Sequence, residues 1–192
     1  MSCAFNGPNF SKDHLMFPYS ECYELLLTEL VNAIKQNKVR IEELANSEGV
    51  NIDGVSYDIL PWHQFICLSF RIREDEEDQG YRYSPADWKY YEFIGDGSFQ
   101  EAREFTSKLY DNPPDGLKPK DVSHLIYMVA AEVLLDPSVA ALLQSCGINA
   151  PTVTNQAMVG CFEYMSLDED QVFKANYCEI IIATRLNNFL LD

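Results

Sequence analysis

Positive charge is scarce in this chain. Its 192 residues carry 14 Lys plus Arg against 30 Asp plus Glu, for a formal charge of −16. A surface of that sign repels nucleic-acid phosphates and anionic lipid, so direct binding to nucleic acid or to a membrane surface is disfavoured. Histidine is sparse too. His14, His63 and His124 are the full set, and no HExxH or ExxH pair puts two ligands on one helix face. The six cysteines (Cys3, Cys22, Cys67, Cys146, Cys161 and Cys178) never fall at CxxC or zinc-site spacing. No metal and no cofactor is expected. Gly95-Asp96-Gly97 lacks the following GxxG or GK[ST] of a phosphate loop, and Ser98 and Ser145 lie outside any GxSxG elbow. No apolar run is long enough to cross a bilayer, and Met1–Pro8 lacks the basic start and apolar core of a signal peptide. With unpaired thiols fitting a reducing compartment, these absences point to a cytoplasmic protein.

Aromatic and apolar residues are plentiful. Hydrophobic residues make up 47% of the chain, including 11 Phe, 11 Tyr and 2 Trp, and that content supports a packed core rather than disorder. The length suits one core. The expected organisation is a single α+β domain over 1–192, with room for a helical subregion 120–192 after a loop at 111–119.

The segment Pro61–Arg73 is the natural centre. Ile66, Leu68, Phe70 and Ile72 alternate with Cys67, Ser69, Arg71 and Arg73, a period of two that predicts a half-buried strand. Around it, residues 50–95 read as an antiparallel sheet of three or four strands, packed against N-terminal and C-terminal helices. Asp53-Gly54 carries the signature of a tight hairpin turn before a strand at Val55–Ile59. Tyr81–Tyr83 and Trp88–Ile94 supply return strands. Residues 1–19 form an irregular arm.

The helices follow from apolar periodicity. Tyr23, Leu26, Leu27, Leu30, Val31 and Ile34 make a stripe in a helix capped by Ser20 and broken near Gln36-Asn37-Lys38. A shorter turn carries Val39, Ile41 and Leu44 up to Gly49. Ser98-Phe99-Gln100-Glu101 has the form of a capping box and opens a helix with Ala102, Phe105, Thr106 and Leu109 on one side. Val122, Leu125, Ile126, Val129 and Val133 define the next. Asp136-Pro137 restarts the chain as N-cap and first helical residue, and Gly147 closes that helix. Residues 148–165 fit helix or strand equally. Ser166–Glu169 is a second capping box ahead of a last helix to Phe189.

Catalytic groupings are thin. His63 and Cys67 are four apart, but four residues of extended chain span about 13 Å, so the pair cannot touch. Paired carboxylates at Glu101/Glu104 and Asp168–Asp170 sit at helix starts, where the macrodipole alone favours them. Asp75, Glu76, Glu77 and Asp78 lie in an acidic loop without the ligand spacing of a calcium site. Beside them stand Tyr81, Tyr83, Trp88 and Tyr90. Rings next to carboxylates suit a Lys- and Arg-rich partner, combining apolar anchors with electrostatic steering. These eight residues are the predicted binding surface. The expected function is therefore protein–protein binding to a basic partner, as in an immunity- or antitoxin-like inhibitor. Two alternatives remain open: a hydrolase or transferase built around His63, Cys67 and Glu92, and a decoy that mimics DNA.

Overall fold

Apolar side chains at every second position of two neighbouring segments lay down the sheet. In the computed structural model, which describes residues 17–72, 86, 88–95, 97–134 and 136–148, strands β1 (Ile52–Leu60), β2 (Phe65–Ile72) and β3 (Tyr90–Ile94) form an antiparallel sheet in the order β1-β2-β3. The fold is α+β, and the segment expected at its centre is the central strand. Helices α1 (Tyr19–Gln36), α2 (Lys38–Ala45), α3 (Gln100–Asp111), α4 (Pro119–Leu134) and α5 (Pro137–Ser145) complete it. The arm before Phe17, the loop 74–78, the Tyr81–Tyr83 strand, residues 149–165 and the last helix lie outside the described residues.

One face of the sheet carries Val55, Tyr57, Ile59, Ile66, Leu68, Phe70 and Ile94. These join Leu26, Leu30 and Ile34 of α1, Ala102 of α3, and Val122, Ile126, Val129 and Val133 of α4 in one buried core. Each large aliphatic side chain removed from water there contributes about 1.5–3 kcal/mol. The α1 stripe is buried or half-buried as its spacing predicts, and the chain breaks at Asn37. That residue's side chain donates to the Ala33 carbonyl at 2.9 Å, beside its own main-chain N–H at 3.1 Å. Val39 does not join the core. It is 67% exposed, and α2 is seated by buried Ile41 and Leu44, with Ala45 packed beside them.

Three local expectations are corrected. Asp53-Gly54 is not a turn: it lies inside β1, where the register slips between Ile52↔Ile72 and Gly54↔Arg71. An extra residue opposite one partner is a β-bulge, a usual place for a strand glycine. The actual reversal comes at Pro61, which was expected to begin the central strand. Pro61–His63 form a single 3₁₀ turn, Gln64 takes a left-handed conformation (φ 50°), and Leu60↔Phe65 closes the hairpin. The capping expectations at Ser20 and Ser98 also fail. Tyr19 already opens α1 after Pro18, and α3 starts after Phe99 with no side-chain cap from its own segment. Glu29 of α1 takes that role instead, its carboxylate accepting from the Glu101 amide at 3.3 Å and the Ala102 amide at 2.9 Å.

The C-terminal half of the described chain follows its sequence signals closely. Asp136 caps α5 by accepting from the Ser138 amide at 2.8 Å, with Pro137 at the first helical position. At the other end Gly147 has φ 87°, a conformation costly for residues with a Cβ. The Gly147 amide bonds the Gln144 carbonyl at 3.0 Å and the Ile148 amide bonds that of Leu143 at 3.1 Å, the paired closure of a Schellman motif. No single described helix is long and apolar enough to cross a membrane. Taken together α4 and α5 reach that length and apolarity, but they meet at a 54° bend.

Candidate functional site

Polar residues occupy the alternate positions of β1 and β2: Ser56 and Asp58 on one strand, Cys67, Ser69 and Arg71 on the other. A half-buried strand would leave them in water. Instead Ser56, Asp58, Cys67 and Ser69 are fully buried, and Arg71 is 2% exposed. Cys67 also lies outside the core cluster on the opposite face. Thus both faces of β2 are interior. The antiparallel register sets Ser56 opposite Ser69 and Asp58 opposite Cys67, so three small polar side chains converge on one carboxyl.

Asp58 is the hub of this group. Ser56 Oγ donates to its Oδ1, Ser69 Oγ donates to Oδ2 at 3.2 Å, and Cys67 Sγ donates to Oδ2 at 3.6 Å. Ser69 in turn accepts the main-chain N–H of Glu92 at 3.0 Å. Glu92 holds a left-handed φ of 52° where β3 slips register between Leu68↔Ile94 and Phe70↔Tyr90. A non-glycine residue in that region is unusual, and here it aims its amide at the serine. Burial raises the Asp58 carboxyl to about 7, outweighing the three hydrogen bonds that favour its charged form.

The same burial, reinforced by the Asp58 charge, keeps the Cys67 thiol protonated far above its ordinary range. Its hydrogen-bond partners are Asp58 and Ser69, neither of which can act as the imidazole base of a cysteine nucleophile. His63 is exposed in the hairpin turn, and Glu92 is exposed on β3. The trio His63, Cys67 and Glu92 is thus divided between surface and interior. His14 and the side chain of His124 lie outside what is described. Among the described residues no group of three or more His, Cys, Asp or Glu is placed to hold a metal ion.

Two surface features involve α3. At its N-terminal end a cleft of about 480 Å³ opens against α1, lined by Glu29, Asn32, Gln36, Gln100, Glu101 and Glu104 with the Gly97-Ser98 turn. Its lining contains three carboxylates and no cation. From there Gln100, Glu101, Glu104, Lys108 and Asp111 form the exposed stripe of α3. At the far end Tyr110 meets Trp62 of the β1–β2 hairpin, with ring centroids 5.9 Å apart and planes inclined at 52°.

Of the predicted binding surface, Asp75, Glu76, Glu77, Asp78, Tyr81 and Tyr83 lie outside the described residues. Trp88 is only 4% exposed, so its ring faces the interior. Tyr90 is half-buried, edge-on to Phe93 at 6.3 Å, with the Lys89 ammonium 5.8 Å from its ring centre. The buried quartet and the α1–α3 cleft were not anticipated. Small polar residues at every second position of two consecutive strands were the available signal for the quartet. For the cleft there was none, because its two walls lie about 70 residues apart in sequence. No protein-family model, curated protein or solved structure matches this chain.

Proposed function

We infer that the protein works by binding a basic protein partner, as an immunity- or antitoxin-like inhibitor does, and that the cleft between α1 and α3 receives cationic side chains of that partner. The carrying observation is that every charged residue lining the cleft is anionic, with Glu29, Glu101 and Glu104 gathered in a chain of net charge −16. Carboxylates clustered in a concavity focus the field and steer cations toward it. The amides of Asn32, Gln36 and Gln100 offer carbonyl acceptors beside them. A cytoplasmic setting accords with the free thiols of Cys22, Cys67 and Cys146. The hydrolase or transferase reading lacks support at Cys67, whose thiol is buried and protonated.

Capture from the native source on the immobilised chain tests this, with the wild type run beside a Glu101→Gln/Glu104→Gln variant. The expected result is one basic protein retained at 50 mM salt, released at 500 mM, and lost on the variant. Retention that ignores salt, or that the variant leaves intact, overturns the proposal.

A further inference from the structure

Trp62 is one of two large hydrophobic side chains left in water among the described residues, at 37% exposure. Its position is not loose. Pro61 fixes the entry to the turn, the Gln64 amide closes it on the Pro61 carbonyl at 3.2 Å, and the Leu60↔Phe65 pair clamps its base. The Trp62 ring has Tyr110 at 5.9 Å, inclined at 52°, and the exposed His63 at 6.0 Å, inclined at 60°. A rigid, half-exposed Trp–Tyr pair loses little freedom on binding, one reason such residues dominate interface hot spots.

The chain's own cations show what its rings attract. Arg40 places its guanidinium 4.2 Å from the centre of Phe93, and Lys89 its ammonium 5.8 Å from that of Tyr90. No described cation lies over Trp62 or Tyr110, although tryptophan is the best of the aromatic platforms. Asp111, exposed, follows Tyr110 directly. Along α3, about 18 Å long at 1.5 Å per residue, the exposed stripe therefore ends in anionic groups at one end and open rings beside an acid at the other.

We propose that the Trp62–Tyr110 pair is the arginine-binding anchor of the partner surface, stacking a guanidinium while Asp111 and the α3 carboxylates hold the neighbouring positive charge. This rests on the basic-partner reading and makes it specific. Arginine is selected over lysine because its planar, weakly hydrated guanidinium stacks on a ring and an ammonium does not.

Octa-arginine and octa-lysine peptides are the probes, titrated at 50 mM salt into wild type and Trp62→Leu, with binding followed by calorimetry and tryptophan emission. The emission difference between the two proteins isolates Trp62, and circular dichroism checks that the variant is folded. Tyr110→Leu serves as a second variant. The expected result is arginine binding about threefold tighter than lysine, a saturable change in Trp62 emission, and equal affinities in either variant. If both peptides bind wild type equally, or if the variants keep the preference, the anchor is wrong and the basic-partner reading stands. If neither peptide binds, both fail.

Discussion

Replacing Asp58 with asparagine should make the protein more stable at pH 8 and change it far less at pH 5. The carboxyl is fully buried and raised from an ordinary 3.8 to about 7, chiefly by its loss of water. The folded chain therefore holds a proton that the unfolded chain has released between those two values. Stability from this group is fully present below pH 4, declines as pH rises, and is gone once pH passes the folded value. At 1.36 kcal/mol per pH unit the whole displacement corresponds to ~4 kcal/mol. Local relaxation and water entry around an ionised carboxylate reduce such penalties, so about 2–4 kcal/mol is the working range.

Asparagine matches the side chain in shape and keeps one acceptor for Ser56 or Ser69, but it never ionises. Urea unfolding of both proteins from pH 5 to pH 8, analysed by linear extrapolation, isolates the effect, because every other titrating group is common to the two. The variant should gain on the wild type by at least 1 kcal/mol across that interval. Parallel stability curves, or a wild type that gains on the variant as pH rises, would refute the claim that burial dominates the three hydrogen bonds at Asp58.

Other outcomes follow from the same structure. Glu29→Ala should cost about 1 kcal/mol by uncapping α3, as loss of an N-cap does, while Glu29→Gln retains an acceptor and should cost less than half of that in urea melts. Asp136→Ala should cost about 1 kcal/mol for the same reason. Burial pushes the Asp136 carboxyl up, but the Ser138 and Tyr23 hydrogen bonds outweigh it and hold it below its ordinary value, so this loss should appear near pH 7 and fade as pH falls below 4. Burial raises the Cys22 thiol to about 12 and also raises those of Cys67 and Cys146. Peptide mapping after brief iodoacetamide treatment should find all three unmodified in the native protein and modified in urea; native labelling of Cys67 would contradict its burial.

What could be read in advance was local. The α1 stripe, the break at Asn37, the spacing of Val122, Ile126, Val129 and Val133, and the Asp136-Pro137 restart each depend on residues within a turn or two of one another. The errors came where distant residues compete. Ser98 has the right neighbours for a capping box, yet Glu29 supplies the cap from another helix. Asp53-Gly54 can form a tight turn, but the proline-led reversal at Pro61–Gln64 sets the register, and the dipeptide is absorbed as a bulge. Trp88 and Trp62 are both tryptophans near turns. Only the fold decides that the first is interior and the second half in water.

The central strand carries the broader point. Alternation told which side chains share a face, and it told this correctly for Ile66, Leu68 and Phe70 against Cys67, Ser69 and Arg71. It did not tell what lies on each face, because polar residues are compatible both with water and with one another. Ser56, Asp58, Cys67 and Ser69 satisfy each other, so they can be buried without the 1–3 kcal/mol that each orphaned polar group would cost. The buried Asp58 carboxyl is still costly when ionised, by an amount comparable to the burial of about two apolar side chains. Within the quartet the hydrogen bonds tie β1 to β2, with the thiol protonated and the carboxyl enclosed. On the proposed reading, recognition uses the surface, where α3 carries carboxylates at one end and meets the hairpin ring at the other.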